Sequence, residues 1–72
     1  MNRPRGYAVV IEPSGENYST YVPDLPGCIA VGDTIEEAEA EISEAIQFHI
    51  EGLKEDGLPI PPPQAVVEYV GA

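Results

Sequence analysis

The sequence is short of nearly everything from which a chemical site is assembled. It has one cysteine, one histidine, three basic residues and no tryptophan among 72 residues. A single cysteine excludes an internal disulfide and fits a reducing compartment, so a small core must suffice or be completed by a partner. Arg3, Arg5 and Lys54 stand against 13 acids, for a net charge of −10. Phosphate binding rests on clustered Lys and Arg, so direct nucleic-acid binding through a basic surface is not expected. No apolar run approaches the ~20 residues that span a bilayer, so no membrane span is expected. The N-terminal MNRPRGYAVV lacks a secretory apolar region, which makes the expected location cytoplasmic. The acidity has two readings. It keeps a small domain soluble and apart from its own copies, or it complements a basic partner and speeds encounter with it.

What is present describes one small α+β domain over residues 1–72. The 43% hydrophobic content argues against disorder despite the charge. After a loose N-terminus over 1–6, YAVVIE (Tyr7 to Glu12), NYSTYV (Asn17 to Val22) and CIAV (Cys28 to Val31) read as short strands. PSGE (Pro13 to Glu16) and the Pro23–Gly27 stretch supply the turns, giving an antiparallel meander. Thr34 with Glu37 three residues on has the capping-box pattern that opens a helix. The helix is expected to run to about Glu55, with Gly57 as its stop. One face carries Ile35, Ala38, Ile42, Ala45, Ile46, His49 and Leu53; the opposite face carries Glu37, Glu41, Glu44, Glu51 and Glu55. LPIPPPQ over 58–64 is a stiff extended connector, because proline removes donors and biases its neighbours toward extended backbone. AVVEYV (Ala65 to Val70) reads as a fourth strand, returning across the helix to lie parallel to the strand it joins. The expected order is βββαβ.

Candidate chemistry is thin. Cys28 would need a base and a cationic environment to act as a nucleophile; its surroundings are acidic, and a partly buried strand cysteine is the plainer reading. His49 lies on the apolar stripe with no second His or Cys at helical spacing, which favours a packed residue over a metal ligand. Asp24, Asp33 and the helix glutamates would serve a metal-dependent nuclease only if gathered around an ion. Asp24 at a tight turn and Asp33 beside a helix start have structural roles that suffice. The glycines match no phosphate loop, so no cofactor is expected. Phe48 projects among the glutamates rather than toward the sheet and is suited to anchor a contact or to be covered by another element. Four strands under one helix leave a sheet face open, and Tyr7, Tyr18, Tyr21 and Tyr69 suit a half-wet interface, which favours a homodimer or a tetramer.

The run VPDLPGC (Val22 to Cys28), followed by Gly32-Asp33-Thr34, Glu37-Ala38 and the exit EDGLPIPPP, resembles the HicB-like antitoxin family, over about Tyr7 to Val70. The resemblance implies a partial ribonuclease-H-like βββαβ domain and the antitoxin role of a type II toxin–antitoxin pair. It implies as partner a HicA-like toxin, a small basic protein that cleaves mRNA, whose active site the antitoxin masks. Many family members add a helix-turn-helix or ribbon-helix-helix that binds DNA. No such basic segment follows the expected fourth strand, so operator binding is not expected. An orphan dimeric binding module without a cognate toxin stays open as the alternative, and a minimal metal nuclease behind it. The expected partner contacts are Glu41, Glu44, Phe48 and Glu51 on the helix, with Asp24, Leu25 and Pro26 at the loop tip.

Overall fold

The computed structural model describes residues 6–71. The expected loose N-terminus over 1–6 therefore lies outside the described residues, apart from Gly6. Three strands and one helix follow in the order β1 (Val10–Ser14), β2 (Asn17–Tyr21), β3 (Ile29–Gly32) and α1 (Ile35–Glu55). β2 is central, and both pairings are antiparallel, with Val10 opposite Tyr21, Ser14 opposite Asn17, and Thr20 opposite Ala30. The meander is thus as expected, but β1 sits about three residues later than YAVVIE suggests. After Tyr21 the chain leaves the sheet, so Tyr7 to Val9 have no β2 residues left to pair with. At the other end, a two-residue turn at Gly15–Glu16 carries the ladder through Pro13 and Ser14.

α1 forms for reasons visible in its ends. The Thr34 hydroxyl accepts a hydrogen bond from the Glu37 N–H at 3.0 Å, which satisfies one of the helix's free donors. Glu36 and Glu37 occupy the first turn and Lys54 the last, each matched to the helix dipole. Gly57, at φ +68, turns the chain out of the helix. Its N–H donates to the Lys54 carbonyl at 3.1 Å, and the Leu58 N–H reaches back to Leu53 at 2.9 Å. Those two bonds are the Schellman pattern, which closes the last free carbonyls. β3 lies so close to the start of α1 that a Cβ on Gly32 would stand 2.3 Å from the Ala38 nitrogen. Only glycine fits there.

The core is small, and much of it comes from a loop. Val22, Leu25, Cys28, Ala38 and Ile42 are the buried hydrophobic residues, with Tyr7, Val9, Ala30, Ala45 and Ile46 packed around them. Leu25 is 0% exposed. The loop that delivers it is closed by three backbone hydrogen bonds: Val22 N–H to Cys28 C=O at 3.2 Å, Leu25 N–H to Val22 C=O at 3.1 Å, and Cys28 N–H to Leu25 C=O at 3.1 Å. This corrects the expectation that Leu25 belongs to a contact surface at the loop tip. Its side chain fills the space between sheet and helix.

The expected fourth strand over Ala65–Val70 is not formed. The sheet has three strands, and 58–71 is without regular structure. Pro61, Pro62 and Pro63 have no N–H to give to a ladder. The next two donors, on Gln64 and Ala65, both point at the Asp24 carboxylate. Val66, Val67, Tyr69 and Val70 stand exposed beyond them.

Two substitutions test this account of the core. Leu25→Ala should lower unfolding free energy by about 3 kcal/mol in urea titration, and a loss under about 1 kcal/mol would mean that the loop is not part of the core. The Thr20 hydroxyl is buried facing the helix and has no hydrogen-bond partner among the described residues. Thr20→Val keeps its shape and should raise stability by about 1 kcal/mol in the same assay.

Candidate protein-binding groove

The alternation of β3 sorts its side chains. Ala30 packs on the core and Gly32 meets Ala38, so Ile29 and Val31 point to the opposite face of the sheet, where they are 71% and 56% exposed. Across the gap, α1 turns Glu41, Glu44 and Phe48 outward, each of them exposed. β3 and α1 together bound an open hollow of about 470 Å³ lined by Gly27 to Val31 on the strand side and by Glu41, Glu44, Ala45, Phe48 and His49 on the helix side. A second hollow of similar size lies between the start of β1 and α1, lined by Tyr7, Val9, Ile42 and Ile46 with Glu36 and Glu39 at its rim. Size does not separate the two, and each has an aromatic and two carboxylates. What sets the first apart is that its strand wall is the edge strand β3 and that its aromatic, Phe48, is 79% exposed.

Of the expected contact residues, the structure brings Glu41, Glu44 and Phe48 together around this hollow. Glu51 is exposed one turn further along the helix and does not line it. Pro26 is exposed, Leu25 is buried, and Asp24 is committed to its own chain. One Asp24 carboxylate oxygen accepts the Gln64 N–H at 2.8 Å and the Ala65 N–H at 2.9 Å. These bonds hold the Asp24 carboxyl below the ordinary aspartate range. The Tyr7 hydroxyl donates to the Pro61 carbonyl nearby in the same segment, so the proline run is fastened to the body at two places.

The sequence reading missed the strand side of the groove, Ile29 to Val31. A signal was available in the contrast between the edge strands: VIEPS has an acid and a proline, and IAVG has neither. The remaining nucleophile and ligand candidates are not assembled into a site. Cys28 is buried at the entrance to β3, and burial pushes its thiol up, away from the reactive thiolate. Among the described residues, no three His, Cys, Asp or Glu side chains come together to hold a metal ion. Nor is any described helix long and apolar enough to cross a membrane.

A three-stranded meander under one helix, with an acidic strand–helix groove, defines a small α+β interaction domain. The chain belongs to the HicB-like antitoxin family: the model of the HicB_like antitoxin of bacterial toxin-antitoxin systems matches residues 7–72. It is 42% identical over 64 residues to an uncharacterized 14.9 kDa protein of Haemophilus phage HP1, covering 89% of this chain and 48% of the phage protein. The chain therefore spans about half the length of that relative. A UPF0150 protein of Synechocystis is 38% identical over 63 residues, covering 86% of this chain and 80% of the other. Among solved structures, a chain of a HicA3 and HicB3 toxin-antitoxin complex superposes with a TM-score of 0.72 at 35% identity, covering 82% of this chain and 70% of that one.

Asp24 gives the attachment of the proline segment a pH dependence. Its folded-state value lies below the ordinary one, so its contribution is complete above the unfolded-state value and is lost as pH falls through the lower, folded one. Asp24→Ala should let the Gln64 and Ala65 amides exchange with solvent at close to the unprotected rate near neutral pH. Slow exchange in that variant would mean that other groups hold the segment.

Proposed function

We propose that this protein is an antitoxin that acts in the cytoplasm by binding a small, basic, mRNA-cleaving HicA-like toxin and masking its active site, without catalysis of its own. The reading rests on family membership, and on the likeness to a chain from a toxin-antitoxin complex. The observation that carries it on this chain is the groove-side face of α1. Glu41 and Glu44 stand there in the two turns before an exposed Phe48, in a protein of net charge −10. Exposed carboxylates on a rigid helix steer a basic partner toward the surface, and an aromatic at the centre supplies apolar contact once water is expelled. Glu51 extends the acidic stripe past the groove.

A homodimer, or a tetramer built from it, is the second part of the proposal. Tyr21, Ile29 and Val31 are exposed on the sheet face away from the helix, and β2–β3 pairing places Tyr21 directly beside Ile29. Glu12, in register with Ser19 and Val31, is the carboxylate that the three strands place on that face. The same surface would serve an orphan binding module equally well, so the toxin partner has to be tested directly.

The reading predicts that a short Lys- and Arg-rich protein is encoded beside this gene, and that co-expressing the two rescues cells from the toxicity of that neighbour. Toxicity that persists while this protein is abundant and folded ends the antitoxin reading for that pair. Reversing Glu41, Glu44 and Glu51 to lysine should slow association by about tenfold or more at low salt and flatten its salt dependence. An unchanged association rate would take the acidic stripe out of the interface.

A further inference from the structure

The two edges of the sheet are not equivalent. β1 ends in Glu12, Pro13 and Ser14, all exposed, and a charge and a proline on an edge strand discourage another strand from pairing with it. β3 is Ile29-Ala30-Val31-Gly32, with neither device, and it pairs with β2 on one side only. An edge strand has a row of backbone N–H and C=O groups directed outward, and an unguarded one invites strand addition. This edge also does not open onto bare solvent. It forms one wall of the groove whose other wall presents Glu41, Glu44 and Phe48.

We propose that β3 receives an extended strand from the partner, added edge to edge, with lysine or arginine side chains reaching Glu41 and Glu44 and an apolar side chain on Phe48. The inference rests on the antitoxin reading for its choice of a basic partner and adds the mode of docking. In strand addition the backbone hydrogen bonds supply affinity and the alternate side chains supply specificity. A strand in the groove turns every second side chain toward the helix. Carboxylates on that wall select a segment with cations at those positions.

Charge also decides against the nearest alternative occupant. The segment AVVEYV at 65–70 is strand-like and exposed, and in a second copy it is the obvious candidate to fill the same edge. In the register that turns Val66, Glu68 and Val70 toward the helix it would bring Glu68 beside Glu41 and Glu44, and in the other it would offer those carboxylates no cation. Like charges across such a pair are destabilising, and no basic residue lies within the segment to offset them. The occupant is a basic strand from another protein.

Strand addition can be separated from simple charge attraction with synthetic peptides and the isotope-labelled full-length chain. One peptide alternates valine and arginine, and two others are its alternately N-methylated forms, which keep every side chain and charge but remove alternate backbone donors. The fourth alternates valine and glutamate. The valine–arginine peptide should bind and slow exchange of amides within Ile29–Gly32. One N-methylated form should bind at least about tenfold more weakly, since it loses two or three backbone hydrogen bonds. Glu41→Lys with Glu44→Lys should weaken the unmodified peptide by a similar factor, and the valine–glutamate peptide should not bind.

Equal binding by both N-methylated forms, or no protection of β3, overturns strand addition. Equal binding by the glutamate peptide overturns the charge assignment, and protection in the free protein of those β3 amides that point away from β2 would place a copy of this chain on the edge instead. If the peptides fail while the neighbouring basic protein is still neutralised, strand addition falls and the antitoxin reading stands. If the peptide adds to β3 while that toxicity persists, the reverse holds.

Discussion

The structure depends on the burial of Leu25. A sheet of three short strands and one helix offers little apolar area, and of the five buried hydrophobic residues among those described, three, Val22, Leu25 and Cys28, come from the connection between β2 and β3. Fully burying a side chain of this size is worth ~1.5–3 kcal/mol, a large share of the margin on which so small a domain exists. For Leu25 to reach inward, the chain must fold back within seven residues. Pro23 and Pro26 limit the backbone freedom that this costs, and the hydrogen bonds closing Val22 to Cys28 satisfy the polar groups that the fold-back would otherwise leave buried. The same closure sets where β3 begins, and the close passage of Gly32 by Ala38 then fixes where the helix crosses.

A core this small leaves apolar surface uncovered, and its placement is uneven. On the helix face toward the sheet Ala38 and Ile42 are covered, yet Ile35 is 47% exposed at its start, Phe48 is 79% exposed on the outer face and Ile29 is 71% exposed on the sheet. Scattered exposed hydrophobic residues need no explanation, but a free strand edge, an aromatic and two carboxylates around one hollow are a different case. The acids are carried on a helix that is capped at both ends and already ordered, so a partner meets them without an ordering cost. A flexible acidic tail would attract the same partner but would have to lose its freedom on binding.

How far the sequence could be read depended on whether an element's determinants were local. The helix is legible to within a residue because Thr34, Glu37, Lys54 and Gly57 are signals that act within a turn of where they stand. Phe48 was placed outside by periodicity alone. Asp24-Leu25-Pro26-Gly27, by contrast, has the composition of an exposed turn. That its leucine points inward follows from a void between sheet and helix that no local pattern records. The fourth strand failed for a related reason. AVVEYV has the composition of a strand, but strand formation needs a partner with free donors and acceptors, and here the amide of its first residue, Ala65, and that of Gln64 just before it are taken by a carboxylate about 40 residues earlier. Composition states a preference, and long-range hydrogen bonding decided the outcome.

The groups that suggested chemistry in the sequence are withdrawn from it by the fold, each in a different way. Burial holds the Cys28 thiol in its protonated form, while the Asp24 carboxylate is used as a backbone acceptor that fastens the proline segment. Asp33 stands exposed beside the helix start, where negative charge is favourable for the helix. Glu41 and Glu44 then remain as carboxylates presented at the groove, where the strand side contributes backbone and apolar side chains. A surface of that kind presents charge, an edge-strand backbone and apolar side chains to a bound molecule. It can distinguish one partner from another by charge, by the spacing of alternate side chains and by the partner's ability to extend a sheet. Holding a basic partner, the task proposed for it, would require no more than this.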